Sequence, residues 1–177
     1  ADRLGSSCLL ISHDRYYLDI PDPKGHNFDA PSALDNTRLV GNLRDLAEGK
    51  ATLLPIYDFS SHARKDEQEL IHPRPIVLLE GILVLAIPEI RSAIDTSVFV
   101  EASEETRLER RIIRDQQKRG RSRESVLEQY YATVKPMHDK YVEPSKEGVD
   151  LLLDGEGAIE DALGKLLEAL RLGSETS

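Results

Sequence analysis

The chain has 177 residues, of which 31% are charged and 40% are hydrophobic, a balance that is typical of a soluble globular protein. Its formal net charge of −9 argues against general binding to nucleic acid or to a membrane surface. No apolar run approaches the ~18 residues of a membrane span, and no signal peptide is expected. The single cysteine, Cys8, excludes an intramolecular disulfide and favours a cytoplasmic protein. We therefore expect one domain over residues 1–173, followed by a frayed tail at 174–177.

Strands and helices are predicted to alternate along the chain. Residues 1–5 resemble the last turn of a helix that a glycine closes. Apolar runs predict strands over residues 8–12, 52–56, 76–84, 97–101 and 149–153. Helical spacing, with Ser103 as an N-cap and glycines as ends, predicts helices over residues 34–48, 88–94, 104–118 and 158–172. A further helix should begin after Ser122, and Pro136 should kink or end it. This order predicts an α/β fold with a doubly wound parallel sheet and flanking helices.

Asp14 and Glu80 are the candidate residues for catalysis and metal binding. Asp14 directly follows the first strand, and ligand sites of open α/β sheets lie beyond the carboxyl ends of strands. It could accept a proton from an attacking hydroxyl or bind a hydrated metal; alternatively, it caps backbone groups of a turn. Glu80 interrupts an apolar strand, where a carboxylate is costly unless it is paired or metal-bound. Mg²⁺ at phosphoryl-transfer sites takes one or two carboxylates, although Glu80 could also simply face water.

The segment 57–64 combines aromatic, imidazole and guanidinium side chains in what we predict to be a loop. A planar base could stack on Tyr57 or Phe59, while His62 could hydrogen-bond its polar edge and Arg64 adds a positive charge. The alternative is an ordinary loop with an aromatic plug.

A second polar string, Asn27-Phe28-Asp29, precedes the helix at 34–48. Asp29 could accept hydrogen bonds from a ribose diol. The alternative is a turn that leads into the helix, with Asp35 as a helix cap.

A basic run between residues 107 and 123 forms a local positive surface in an otherwise acidic chain. Arginine matches phosphate geometry in bidentate fashion, so this surface is a candidate anion site. Helical spacing places four of the arginines largely along one side: Arg107, Arg110, Arg111 and Arg114. The alternative is a solvated helix face that is paired with the neighbouring acids Glu104, Glu105 and Glu109.

Together, these strings resemble the uridine kinases (uridine/cytidine kinases) of the phosphoribulokinase and uridine kinase superfamily, from about residue 12 to residue 153. Nine motifs stand in the family's order: S-x-D-x-x-Y, N-F-D-x-P, P-x-Y-D-F-x-x-H-x-R, L-E-G-I-L, R-x-x-R-R-x-x-R-D, R-G-R, Q-Y, V-K-P and E-P-x-K. The resemblance implies a P-loop NTPase-like fold. It also implies a kinase of pyrimidine salvage that transfers the γ-phosphate of ATP to the 5′-hydroxyl of uridine or cytidine with Mg²⁺.

The resemblance also implies a role for each candidate residue. Asp14 is implied as the catalytic base and, with Glu80, as a Mg²⁺ ligand, while Asp29 is implied to bind the ribose hydroxyls. The remaining implied roles are a nucleoside pocket (Tyr17, Tyr57, Phe59, His62), further substrate contacts (Arg111, Arg121, Gln129) and a lid over the phosphates (Arg114, Arg119). The implied partners are nucleoside and ATP, and a homo-oligomer stays open.

One family feature has no counterpart in this sequence. A phosphate-binding loop reads G-x-x-x-x-G-K-S/T, and no such string occurs in the 177 residues. The resemblance therefore implies that the first strand, this loop and most of the first helix are absent, as in a shortened gene or an expressed fragment. The absent strand would lie between those at residues 76–84 and 97–101.

Two other functions remain open from the sequence. The missing loop is compatible with a degenerate kinase that binds nucleoside, or pairs with a subunit, without catalysis. A kinase of another small hydroxyl acceptor, such as ribulose 5-phosphate or pantothenate, stays within the same superfamily.

Overall fold

The computed structural model describes the backbone of residues 2–20 and 26–174, and the side chains of residues 4–20 and 26–169. The chain forms two compact units, residues 1–94 and residues 95–177. Within the described residues, six strands form three two-stranded sheets. None of the described helices is long and apolar enough to cross a membrane. Of the expected tail, Ser174 ends the last helix, and residues 175–177 lie outside the described part of the chain, as does Ala1.

A parallel pair of strands organises the first unit. Strand β1 (Cys8–Ser12) pairs in parallel with β4 (Ile76–Glu80), and Ser12 lies opposite Glu80 at their carboxyl ends. The prediction of one strand over 76–84 was too long. The strand stops at Glu80 because Gly81 has a φ of 154°, and the chain then forms a 3₁₀ turn at Val84–Ala86. Before β1, residues Asp2–Ser7 form 3₁₀ turns with Gly5 at a φ of 54°.

An antiparallel hairpin occupies the region predicted as a short strand and a loop. Strand β2 (Thr52–Asp58) pairs with β3 (Ala63–Ile71), and Tyr57 lies opposite Arg64. The prediction of a loop over 57–64 was therefore wrong, since only residues 59–62 form the turn. The second strand escaped notice because its central residues, 65–70, are polar apart from Leu70 and are exposed on both faces. They show no alternation of apolar and polar residues.

Helix α1 (Asn36–Ala47) covers one side of the first unit. Asp35 caps it as predicted, because its carboxylate accepts a hydrogen bond from the backbone N–H of Arg38 at 3.1 Å. The apolar face that buries Leu39, Leu43 and Leu46 provides much of the core of this unit. A short helix, α2 (Pro88–Arg91), follows β4 and buries Ile90.

A second parallel pair organises residues 95–177. Strand β5 (Val98–Glu101) pairs with β6 (Leu151–Asp154), both close to their predicted positions. Helix α3 (Glu104–Arg119) begins at the predicted cap, where the hydroxyl of Ser103 accepts from the N–H of Thr106. It ends at Gly120, whose left-handed backbone closes the helix.

A continuous helical segment follows α3. Helix α4 (Arg123–Gln129) begins at the predicted cap Ser122 and leads into a π-helical turn at Tyr130–Val134. Helix α5 (Lys135–Met137), a second π turn (His138–Val142) and a 3₁₀ turn (Glu143–Lys146) complete the segment. The helix does not end at Pro136. Proline removes one N–H and crowds the preceding turn, and the wider π turns on both sides accommodate it.

The last helix, α6 (Ile159–Ser174), continues past the predicted stop at Gly173. Its N-terminus is joined to β6 by the loop 155–158, in which Glu156 accepts a hydrogen bond from the N–H of Ser103 at 2.7 Å. The Ser103 side chain, and after it this backbone hydrogen bond and the Thr106 side chain, lower the pKa of Glu156 to about 2. The loop therefore ties the start of α3 to the end of β6.

The backbone at Gly81 tolerates no side chain. A Cβ atom at this position would lie 2.6 Å from the Cβ of His13, whereas a Cβ at Gly41, inside α1, would meet nothing within 4 Å. We expect Gly81→Ala to lower the free energy of unfolding by more than about 1 kcal/mol, because both the contact and the positive φ oppose alanine. Gly41→Ala, the matched control, should raise it by up to about 1 kcal/mol through helix propensity. Urea unfolding measures both, and equal effects would contradict the close-contact explanation.

Candidate functional site

The turn after β1 holds Asp14 at an exposed position between anchored neighbours. His13 is buried and its Nε2 lies 2.9 Å from Oδ1 of Asn36. Arg15 donates from Nε to the backbone oxygen of Pro55 at 2.9 Å. The buried hydroxyl of Tyr16 donates to Oδ1 of Asn42 at 3.0 Å. Because three neighbours are held by α1 and β2, the backbone position of Asp14 is well determined.

Glu80 lies at the same end of the parallel pair. Its register partner is Ser12, two residues before Asp14, and its side chain is exposed. The nearby imidazole of His13 is buried, and burial lowers the pKa of His13 while the Glu80 carboxylate acts in the opposite direction. Strand register thus places both predicted carboxylates at the same end of the parallel pair.

The donor set suits a metal that keeps other ligands. Among the side chains that the structure describes, residues 4–20 and 26–169, no three His, Cys, Asp or Glu gather as a metal-binding group. A complete set of protein ligands for a metal ion is therefore not found in this part of the chain. Mg²⁺ at phosphoryl-transfer sites is bound by one or two carboxylates together with phosphate oxygens and water, and two exposed carboxylates at neighbouring strand ends fit that requirement.

Aromatic and imidazole rings from three segments come together in the first unit. The ring of Tyr17 lies 5.8 Å from Phe28, 5.4 Å from Tyr57 and 6.5 Å from Phe59, measured between centroids. Tyr57 and Phe59 lie 5.1 Å apart, and Phe28 lies 5.1 Å from His62. The structure therefore brings together the four residues predicted to line a nucleoside pocket. We call these four residues together with Phe28 the ring cluster.

Two side chains in or beside the ring cluster were missed as candidates. Phe28 links Tyr17 to His62, and its ring also lies 4.8 Å from the imidazole of His26. Phe28 lies in the N-F-D string, in which only the aspartate carries an evident chemical role. His26 gives no signal in the sequence, because a lone histidine without metal-ligand spacing does not reveal ring packing.

Two features of the hairpin, one in β2 and one in the turn at residues 59–62, bear on ligand binding. The hydroxyl of Tyr57 is buried and has no hydrogen-bond partner within the described residues, and burial raises the pKa of Tyr57. His62 has a φ of 53°, which is uncommon for a residue other than glycine. An unsatisfied hydroxyl and a strained backbone are both costs that a binding site tolerates more often than a purely structural turn.

Asp29 and Arg64 lie beside the ring cluster in the sequence but differ in role. Asp29 follows Phe28, is half-buried, and its N–H donates to Oδ1 of Asn27 at 3.0 Å. Arg64 donates to the backbone oxygens of Tyr16 and Tyr17 at 2.9 and 2.8 Å and pairs with Asp35 at 3.1 Å. The guanidinium of Arg64 therefore fastens β3 to the turn after β1.

In the second unit, the basic run gathers around one acid that the sequence analysis did not single out. Asp115 is fully buried, and four guanidinium groups lie within 4 Å of its carboxylate: Arg111 (3.8 Å), Arg114 (2.9 Å), Arg119 (3.5 Å) and Arg121 (3.6 Å). We call these five residues the arginine cluster. Of the four arginines predicted to lie along one helix side, Arg111 and Arg114 contact Asp115, whereas Arg107 contacts His138.

Gln129 joins the arginine cluster from α4. Its Oε1 accepts hydrogen bonds from Arg121 and, at 3.3 Å, from Arg111. The predicted substrate contacts Arg111, Arg121 and Gln129 therefore lie together. The predicted lid residues, Arg114 and Arg119, pair with the same carboxylate of Asp115. Glu104, one of the three acids considered as partners of the basic run, pairs with Lys135 at 2.9 Å.

Comparison with solved structures identifies the fold. The chain matches a candidate fructose transport system kinase from Silicibacter sp. TM1040 with a TM-score of 0.67, covering 85% of this chain and 77% of that one at 16% identity. It matches YFH7 from Saccharomyces cerevisiae, described as a candidate P-loop containing kinase with a circular permutation, with a TM-score of 0.61 at 14% identity. That match covers 84% of this chain and 57% of the other. The protein has the α/β fold of P-loop kinases, as predicted.

Comparison with known sequences identifies the family. The profile of the phosphoribulokinase / uridine kinase family matches residues 20–157. A uridine kinase from Ligilactobacillus salivarius is 39% identical, covering 94% of this chain and 81% of the relative. A uridine kinase from Chloroflexus aurantiacus is 41% identical, covering 97% and 84%. The chain belongs to the phosphoribulokinase / uridine kinase family and is by family a kinase, which confirms the predicted class of enzyme.

The contact between Arg107 and His138 makes a pH effect measurable. Burial, and after it the Arg107 guanidinium, lowers the pKa of His138 below its usual 6.5, although Asp139 and Glu143 act in the opposite direction. As the pH falls, His138 therefore takes up a proton in the unfolded chain before it does so in the folded protein. The stability that goes with a neutral His138 is present above pH 6.5 and is lost as the pH falls through the pKa of the folded protein.

We expect the free energy of unfolding to fall less steeply in His138→Gln than in the parent between about pH 7 and pH 5. Urea titrations at several pH values measure the slope. His72→Gln, which changes an exposed histidine, is the control and should keep the parental slope. Identical slopes for His138→Gln and the parent would contradict the assignment.

Proposed function

We propose that this protein is an ATP-dependent pyrimidine nucleoside kinase that phosphorylates the 5′-hydroxyl of uridine or cytidine. The observation that carries the proposal is the ring cluster in a chain of this kinase family. Its first member, Tyr17, lies three residues after Asp14 in the sequence. The relatives named uridine kinase match nearly the whole chain, which supports this acceptor over others of the superfamily.

The ring cluster supplies what a pyrimidine nucleoside requires. Aromatic faces at Tyr17, Phe28 and Phe59 can pack against a planar base, and Phe59 is 55% exposed, so its ring is accessible. The His62 imidazole and the Tyr57 hydroxyl offer hydrogen-bonding groups for the polar edge of the base. Asp29, directly after Phe28, would accept hydrogen bonds from the ribose hydroxyls.

Asp14 would act as the general base of the transfer. The 5′-hydroxyl oxygen attacks the γ-phosphorus of ATP, the bond from that phosphorus to the β–γ bridging oxygen breaks, and ADP leaves. The hydroxyl proton passes to the Asp14 carboxylate, whose exposure at the strand end leaves it accessible to an acceptor. Asp14 and Glu80 would hold Mg²⁺, which neutralises developing charge on the phosphate oxygens when it is bound.

The arginine cluster would act on the phosphates. Phosphoryl transfer depends on positioning and on neutralising the charge of the transferred group, and guanidinium groups do both. Arg114 and Arg119, whose side chains are about half exposed, would form a lid over the phosphates, while Arg111, Arg121 and Gln129 would contact substrate.

A nucleoside-binding protein without catalysis is the second candidate, and the lack of a G-x-x-x-x-G-K-S/T string within the 177 residues favours it for this chain. A coupled assay of uridine-dependent ADP formation separates the two. It should be run on the protein as its gene encodes it and on residues 1–177 alone. We expect no more than trace turnover from residues 1–177, and uridine-independent ADP formation by the encoded protein would overturn the proposed kinase function.

Removing the proposed base should abolish most turnover. In the encoded protein, we expect Asp14→Asn to lower kcat by about 10²- to 10⁴-fold while uridine still binds, because a general base supplies that factor. The same coupled assay gives kcat, and calorimetry gives uridine binding. The control is Asp66→Asn, which removes an exposed carboxylate from β3 and should leave kcat unchanged. Near-normal turnover in Asp14→Asn would assign the proton transfer to another group.

His62, in the turn at residues 59–62, should determine affinity for the nucleoside. We expect His62→Gly to raise the KM for uridine by roughly 5- to 150-fold, the equivalent of one lost hydrogen bond, and the KM for ATP much less. Glycine is chosen because it accepts the φ of 53° and so removes the imidazole without straining the turn. His72→Gly is a control on an exposed histidine outside the turn. A parallel rise in both KM values would argue against a contact with the base.

A further inference from the structure

The arginine cluster is built around a single acid. The carboxylate of Asp115 has no exposure to solvent and is the one acid among its four arginine partners, so four positive charges and one negative charge leave a net charge of +3. The backbone of Asp115 takes part as well. Its oxygen accepts from the N–H of Gly120, which closes α3, and from the N–H of Arg121 at 3.2 Å.

We propose that Asp115 is a positioning residue of this kinase. Its buried carboxylate holds four guanidinium groups in one place and aims them, together with Gln129, as a single preformed site for the phosphate groups of a nucleotide. Asp115 itself touches no phosphate, because a buried carboxylate would repel one. The proposal rests on the function proposed above, in which these arginines bind phosphate.

The exposure of the side chains supports a positioning role for Asp115 and a phosphate-binding role for the arginines. The carboxylate at the centre is fully buried, while the side chains of Arg114 and Arg119 are 47% and 53% exposed. Each guanidinium has five N–H donors. Arg114 donates from Nε to Oδ1 of Asp115 at 2.9 Å, while Arg111, Arg119 and Arg121 pair with the carboxylate by charge at 3.5 to 3.8 Å. The arginines can therefore pair with Asp115 on one side and meet an anion on the other.

The electrostatic cost of the arginine cluster explains why an acid is needed. Four guanidinium groups within 4 Å of one carboxylate repel each other, and a buried charge is tolerated only when it is paired. Without the central charge, the arginine side chains would separate into solvent. They would then have to be ordered again when a nucleotide binds, at a cost in side-chain entropy.

The sign of the change in anion affinity distinguishes positioning by Asp115 from an effect of charge alone. Asp115→Asn raises the net charge of the cluster by one, so simple attraction would strengthen anion binding. If Asp115 positions the arginines, the same change weakens it. We expect Asp115→Asn to bind inorganic pyrophosphate at least about tenfold more weakly than the parent, as measured by calorimetry on the encoded protein.

Two further variants separate positioning from loss of structure. Glu109→Gln removes an exposed carboxylate from the same helix, and we expect it to bind pyrophosphate at least as tightly as the parent. Asp115→Glu restores the charge, and we expect it to recover most of the lost affinity. Circular dichroism and the unfolding midpoint, recorded on each variant, ensure that affinities are compared between folded proteins.

A measurement on the unmodified protein covers the case in which Asp115→Asn does not fold. Nuclear magnetic resonance of the arginine Nε–H groups in the nucleotide-free protein should show four separate, slowly exchanging signals that shift when pyrophosphate is added. Signals averaged to the value of free arginine would overturn the proposal, as would pyrophosphate binding by Asp115→Asn that equals or exceeds that of the parent.

The pyrophosphate-binding test of Asp115 does not depend on which hydroxyl the enzyme phosphorylates. Weakened pyrophosphate binding in Asp115→Asn together with no uridine-dependent turnover in the parent would uphold the positioning role and overturn the nucleoside assignment. Uridine-dependent turnover with unchanged kcat and unchanged KM for ATP in a folded Asp115→Asn would overturn the positioning role and uphold the nucleoside assignment.

Discussion

The packing of His13 against Gly81 determines where the two parallel strands of the first unit end. A side chain at Gly81 would collide with the Cβ of His13, so the two backbones approach as closely as glycine permits. His13 is buried there and is joined to Asn36 at the start of α1. This contact ties two strand ends and a helix start together. The exposed carboxylates of Asp14 and Glu80 owe their shared location to it.

A second set of contacts connects the hairpin to the same point. Arg64 at the start of β3 donates to the backbone of Tyr16 and Tyr17, and Arg15 donates to the backbone of Pro55 in β2. Charge-assisted hydrogen bonds to backbone oxygens leave those arginines unavailable for a ligand, but they hold the hairpin over the turn that carries Asp14. Tyr17 thereby meets Tyr57 and Phe59, and the ring cluster forms from segments that are far apart in the chain.

The second unit follows a related principle with charges instead of rings. One buried acid collects arginines from α3 and from the turn after it, and it also ends the helix through its backbone oxygen. In both units, a residue that faces inward determines where the outward-facing residues lie. Phosphoryl transfer places its main demands on positioning and charge, so this arrangement suits a kinase.

The sequence by itself determined the fold class, the parallel strands, the caps at Asp35, Ser103 and Ser122, and the family. Each depends on local residue pattern or on motif order, which the chain displays directly. Only the tertiary structure decided what depends on partners distant in sequence. Strand β3 was hidden because its exposed polar residues gain their structure from pairing with β2. Phe28 and Asp115 were hidden because a ring contact and a buried ion cluster exist only once separate segments have packed together.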